Sequence, residues 1–188
     1  KWFDLHPKEK LPLFRDPPAA SALPPLAITG GWRAEFAKFS DDDRRSFLQA
    51  YLAGVSFMDA QVGRLLDALD RLGVAERTVV IFLGDHGYHL GEREWWNKST
   101  LFDRSCRAPL VIAAPGHATG RECSTPVEFT DIFPTVADFC GVPVPEGVAG
   151  RSLRPFLADP ARSAPEAAAF TLVTRGGQKW GRSVRTAR

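Results

Sequence analysis

Within residues 85–98 the chain gathers Asp85, His86, His89, Glu92 and Lys98, so carboxylate, imidazole and ammonium groups share one short stretch. A hard divalent cation is held by carboxylate oxygen, and an adjacent imidazole can ligate the same ion or donate to a bound oxyanion. An ammonium group close by would add positive charge where an anion sits. Plainer uses exist for every one of these residues. Asp85 can cap a turn after a strand, His89 and Glu92 can tie a loop to its own backbone, and Lys98 alone is a solvated lysine. Trp95 and Trp96 read as packing beneath a long loop.

The elements that would position this stretch are legible on either side of it. Val79 to Leu83 is an unbroken apolar run that stops at Gly84, the pattern of a parallel strand buried on both faces. Ligands of open α/β sheets bind beyond the carboxyl ends of such strands, which is where Asp85 and His86 stand. Upstream, Ser40 followed by Asp41, Asp42 and Asp43 predicts a capped helix start. From there Phe47, Tyr51, Val55, Met58, Val62, Leu65, Leu69 and Leu72 recur at helical spacing as far as Gly73. Downstream, Pro109 to Ala113 predicts a second strand and Asp131 to Gly141 a helix capped by Asp131. A short helix is expected near Ser152 to Leu157. Ala167 to Thr174 and Trp180 to Thr186 predict a hairpin around Gly176-Gly177. Helices alternating with strands predict an α/β fold with a mostly parallel sheet. The proline-rich stretch from Lys1 to Gly31 predicts an irregular arm laid over a larger body.

Composition narrows the partners. The 188 residues, 44% of them hydrophobic, are enough for a packed core, and no apolar run approaches the roughly 18 residues of a membrane span. A formal charge of +2, from 24 basic and 22 acidic residues, gives no reason to expect a nucleic-acid or membrane-surface partner. Cys106, Cys123 and Cys140 form no Cys-x-x-Cys pair and are expected to be buried free thiols.

The whole string from Gly84 to Asp103, Gly-Asp-His-Gly-Tyr-His-Leu-Gly-Glu-Arg-Glu-Trp-Trp-Asn-Lys-Ser-Thr-Leu-Phe-Asp, followed by Arg107-Ala-Pro-Leu-Val-Ile, resembles the type I sulfatases of the alkaline-phosphatase superfamily. The branch it is most similar to contains iduronate-2-sulfatase and choline-sulfatase-like enzymes. The helix from Tyr51, the segment Phe129-Thr-Asp-Ile-Phe-Pro-Thr-Val and the turn Gly150-Arg-Ser-Leu extend the likeness. The resemblance implies an alkaline-phosphatase-like α/β domain over residues 1–150 and the start of a small antiparallel C-terminal subdomain over residues 151–188. It further implies hydrolysis of a sulfate ester on a small molecule or glycan. Asp85 and His86 would bind Ca2+, or alternatively Mg2+; Lys98 and His86 would be catalytic; Lys98, His89 and Arg93 would contact substrate. Arg93 departs from the family pattern, which usually has His after Gly-Glu.

A second departure is larger. The family's nucleophile is a formylglycine made within Cys/Ser-x-Pro-x-Arg, and no such motif occurs in the sequence. Cys106 and Cys123 have Pro one place too late, and Ser163-Ala-Pro-Glu-Ala lacks the Arg. The expectation is therefore a partial catalytic domain without its N-terminal half, inactive alone, that self-associates or pairs with the missing segment. A phosphodiesterase or phosphonate hydrolase of the same superfamily, and a non-catalytic remnant or binding protein, are the alternatives.

Overall fold

The computed structural model describes residues 1–14, 26–28, 33–117, 119–162, 164 and 166–187. Of the expected arm, residues 15–25 and 29–31 lie outside the described residues. A short helix α1, Arg33–Phe36, precedes α2, Asp41–Arg71, which begins where the capping signal predicts. The Ser40 hydroxyl accepts from the Asp43 amide at 3.1 Å, and the Asp43 carboxylate accepts from the Ser40 amide at 2.9 Å. The Ser40 hydroxyl also donates to the Asp43 carboxylate at 2.6 Å, and this bond, with the one from the Ser40 amide, holds the Asp43 carboxyl below its ordinary range. Leu72 closes the helix and Gly73 follows at φ 65°.

The apolar stripe of α2 is covered mainly at its start. Phe47 packs edge-on against Trp96 with centroids 5.4 Å apart, and Tyr51 meets Tyr88 at 5.4 Å. Further along, Val55, Met58 and Leu65 are exposed, Leu65 by 68%. The N-terminal residues run beside this helix, with the Gln49 amide donating to the His6 carbonyl at 2.8 Å and Trp2 edge-on to Phe57.

Strands β1, Val80–Leu83, and β2, Leu110–Ala113, lie within a residue of their expected positions. They pair antiparallel, Val80 opposite Ala113 and Leu83 opposite Leu110, which corrects the expectation of parallel pairing for these two strands. Parallel neighbours need a crossover that carries the chain back to the same end of the sheet. Here residues 84–109 fold over the strand end, with only a 3-10 turn, Glu92–Glu94, and the one-turn helix α3, Asp103–Cys106, and return directly. Burial of Val79 to Leu83 on both faces is corrected as well, since Val80, Ile81 and Phe82 are only half-buried and Leu83 is 40% exposed, and β2 is likewise covered on one face. Leu110 and Ile112 pack on Leu153 and Phe156, whereas Val111, on the other face, is 59% exposed.

Helix α4, Ile132–Cys140, ends at Gly141 as predicted, but the Asp131 side chain does not cap it. Its carboxylate accepts from the amides of Glu128 and Arg151, both at 2.9 Å, and so ties the helix entrance to the turn before α5, Arg154–Ala158. Thr135, fully buried, completes that tie by donating to the Asp131 carbonyl and accepting from the Leu153 amide at 2.8 Å. The three cysteines are free thiols, but Cys123 and Cys140 are exposed and Cys106 is half-buried, against the expectation of burial. Cys123 lies in a loop and Cys140 ends α4, positions where the core does not reach. Strands β3, Ala168–Arg175, and β4, Lys179–Thr186, form the expected hairpin. Among the described residues no helix is long and apolar enough to cross a membrane.

Replacing Thr135 by Val keeps the shape but strands the buried Leu153 amide. The Thr135→Val chain should lose about 1–3 kcal/mol of stability, read as a lower urea midpoint; an unchanged midpoint would remove Thr135 from this account.

Candidate functional site

The site is one continuous loop between β1 and β2, closed on itself by hydrogen bonds. The Gly84 amide donates to the Pro109 carbonyl at 3.0 Å, extending the β1–β2 ladder, and Asp85 and His86 follow at the strand end. Next, the Gly87 amide donates to the Ser105 carbonyl at 2.8 Å. The backbones approach so closely there that a Cβ on residue 87 would lie 2.0 Å from the Arg104 carbonyl oxygen, and only glycine fits. The amides of His89 and Gly91 donate to the carbonyls of Asn97 and Trp95, at 3.1 and 3.0 Å.

The loop has its own buried interior. Trp95 and Trp96 are 1% and 3% exposed, and Trp95 stands edge-on to Phe36 with centroids 5.2 Å apart. His89 is 1% exposed, with Nδ1 3.2 Å from the Glu92 carbonyl and Nε2 2.9 Å from Thr100 Oγ1. A carbonyl only accepts, so the ring proton sits on Nδ1 and Nε2 receives the Thr100 hydroxyl. Thr100 is in turn 2.9 Å from the Ser105 hydroxyl. Burial lowers the His89 pKa from its ordinary 6.5, in keeping with a neutral ring. The Glu92 carboxylate accepts from the Leu90 amide at 2.7 Å and pairs with Arg104 at 3.1 Å.

At the loop surface, Asp85, His86 and Lys98 converge. The Lys98 ammonium donates to His86 Nε2 at 2.8 Å, and His86 Nδ1 donates to the Gly87 carbonyl at 2.7 Å, which fixes the tautomer. Asp85 Oδ2 is 3.5 Å from the same Nε2, with its side chain 86% exposed. Lys98 is anchored through its backbone: its amide donates to Asn97 Oδ1 at 2.8 Å, and its carbonyl accepts from the Trp95 indole at 2.9 Å. Three non-glycine residues of the loop are left-handed, Arg93 at φ 58°, Glu94 at 56° and Ser99 at 67°. Each costs of order 1 kcal/mol, strain that persists only where surrounding contacts impose it.

Of the residues singled out from the sequence, the structure brings together Asp85, His86 and Lys98 and sets two apart. His89 is turned inward, with both ring nitrogens engaged, so in this conformation it organises the loop instead of facing a ligand. The Arg93 guanidinium lies 4.1 Å over the Phe102 ring. Sequence reasoning missed Thr100 and Ser105, because nothing in their spacing marks them as partners of an imidazole. Metal binding is matched only in part. Asp85 offers an exposed carboxylate, yet calcium takes about six to eight oxygens, and no group of three His, Cys, Asp or Glu suited to a metal occurs among the described residues. The His86 lone pair faces an ammonium. These residues by themselves do not make a calcium or magnesium centre.

Residues 24–142 match the family model described as Sulfatase. Iduronate 2-sulfatase of Mus musculus is 32% identical over 180 residues, covering 75% of this chain and 32% of that protein. A solved structure of a protein in complex with its substrate D-glucosamine-2-N,6-O-disulfate superposes with a TM-score of 0.73 at 29% identity, covering 78% of this chain and 31% of that one. The phosphonate monoester hydrolase of Silicibacter pomeroyi superposes at 0.72 and 28% identity, covering 88% and 35%. These neighbours bear out the expected alkaline-phosphatase-like α/β fold. The chain spans about a third of the length of the curated relatives it matches.

The neutral, buried His89 makes the loop acid-sensitive. Below pH 6.5 the unfolded chain takes up a proton that the folded ring resists, so this contribution to stability is complete above 6.5 and is lost as pH falls through the lowered folded value. Urea midpoints followed by tryptophan fluorescence should drop between about pH 7.5 and pH 5, and His89→Gln should flatten that slope. An equal slope in both proteins would assign the acid sensitivity to other groups.

Proposed function

This chain belongs to the sulfatase family, and we propose that Asp85, His86 and Lys98 form one wall of a site that binds and hydrolyses a sulfate ester. The observation that carries the reading is the contact of the Lys98 ammonium with His86 Nε2, beside the Asp85 carboxylate at the end of β1. An incoming sulfuryl group draws the Lys98 N–H donors away from His86 and onto its oxygens. Nδ1 stays on the Gly87 carbonyl, so Nε2 is the ring atom of His86 left facing the site beside the ammonium. Fixed donors of this kind oppose charge developing on the transferred group, an effect often worth several kcal/mol. The loop's closed core holds the backbone that carries them, so that only the Lys98 side-chain hydrogen bond changes partner.

Asp85 is assigned as one ligand of a Ca2+ ion, with Mg2+ as the alternative, the remaining ligands lying outside the described residues. Such an ion would polarise the sulfuryl group. The nucleophile, a formylglycine, has no Cys/Ser-x-Pro-x-Arg motif in this sequence, so catalysis requires residues beyond it. A sulfated sugar is the substrate class favoured by the glucosamine disulfate complex and by the iduronate 2-sulfatase relative. The exposed apolar side chains of α2, Val55, Met58 and Leu65 among them, are assigned to self-association or to pairing with sulfatase sequence not contained in this chain.

A second reading, hydrolysis of a phosphonate or phosphodiester, is favoured by the near-equal superposition on the Silicibacter pomeroyi enzyme. Anion titration separates the two. Inorganic sulfate should shift the backbone amide signals of His86 and Lys98 with weak affinity, of order millimolar or about −4 kcal/mol, and Lys98→Ala should abolish the shift. Stronger binding of phosphate favours the second reading, and no response to either anion contradicts both. The 188-residue chain alone should leave an aryl sulfate at its background rate; clear turnover would show that the chain carries its own nucleophile.

A further inference from the structure

The Lys98 ammonium is placed only as well as the backbone that carries it. Inside the loop, the Trp95 indole holds the Lys98 carbonyl. The next carbonyl, that of Ser99, is held from outside the loop: Arg175, the last residue of β3, donates to it from Nη2. This one contact concentrates two unfavourable features. Ser99 is left-handed at φ 67°, and the Arg175 Nε–H is buried without a hydrogen-bond partner among the described residues. Strain and an unpaired buried donor are each rare in folded chains and persist where neighbouring contacts impose them.

The hairpin is seated so that Arg175 can reach. On the same face, Arg185 pairs with Asp103 at 2.9 Å and Ser183 meets Cys106. A Cβ on Gly181 would lie 2.7 Å from Leu101 Cδ1, so β4 lies directly against the loop. Residues 175, 181, 183 and 185 are all odd-numbered, as one face of a hairpin in this register requires. The opposite face, with Phe170, Leu172 and Trp180, is exposed.

We propose that Arg175 is a positioning residue for Lys98: the C-terminal hairpin, through the Ser99 carbonyl, fixes the lysine that meets the anion. The proposal rests on the reading of Lys98 as the anion-binding lysine and assigns the hairpin a part in that site. Without the Arg175 contact, Ser99 relaxes toward ordinary φ, the Lys98 carbonyl shifts and the ammonium leaves His86.

The test is acylation of lysine amines by an acetyl ester, followed residue by residue by peptide mass spectrometry on the whole chain. It needs neither bound anion nor turnover. Arg175→Gln should raise the Lys98 rate about tenfold, as expected for losing a charge-assisted hydrogen bond, with Lys38 unchanged as reference. Arg185→Gln, which loosens the hairpin without touching Ser99, should leave Lys98 near its wild-type rate. Arg175→Lys keeps one donor but not the fork and should fall between wild type and Gln. If the Gln variant fails to fold, the Lys variant decides. A wild-type Lys98 rate in the folded Arg175 variants, or equal increases in Arg175→Gln and Arg185→Gln, overturns the proposal. Absence of sulfate binding with the labelling pattern intact would instead count against the sulfate reading alone.

Discussion

The site depends on a buried imidazole. His89 is almost wholly shielded from water, and a buried polar ring is tolerated only when its nitrogens are satisfied. Satisfying them requires the Glu92 carbonyl on one side and the Thr100 hydroxyl on the other, which draws the two ends of the loop together. Thr100 must then meet Ser105 at the helix α3, and Gly87 must let the returning backbone pass within contact of Arg104. One side chain thereby fixes the path of the chain from Gly87 to Ser105.

The consequences run outward to the surface residues. With the interior closed, Trp95 and Trp96 pack on Phe36, Phe39 and Phe47, so the start of α2 and the loop share one aromatic cluster. The Trp95 indole also sets the Lys98 carbonyl, linking that cluster to the ammonium beside His86. Left-handed Arg93, Glu94 and Ser99 are held in place by these contacts and by Arg175. Preorganisation of this kind is what an anion site needs, since a backbone that is already fixed does not have to be reordered when charge arrives.

What was legible in the sequence is what local chemistry decides. Ser40 with three acids, Gly73, Gly141 and the Gly176-Gly177 turn mark ends that depend on nearest neighbours, and the elements fall where those residues put them. Strand direction was not legible, because Val-Ile-Phe-Leu reads alike whichever way its partner runs; the return of residues 84–109 decides it. The gathering of Asp85, His86 and Lys98 was anticipated through a long ordered motif. For His89 the residues alone offered a tie to the loop's own backbone and the family likeness a substrate contact; the structure shows the first, since spacing within a motif does not say which way a ring faces. Arg175 carries no signal at all, its contact with Ser99 spanning 76 residues of sequence.

Amide hydrogen exchange tests most directly whether this loop is a closed unit. In metal-free and anion-free buffer the amides of Gly87, His89, Leu90 and Gly91, all hydrogen-bonded within the loop, should exchange as slowly as those in the first half of α2. Exchange at the rate of an open surface loop would show that the buried His89 does not hold the segment, and would contradict the account of how Lys98 is placed.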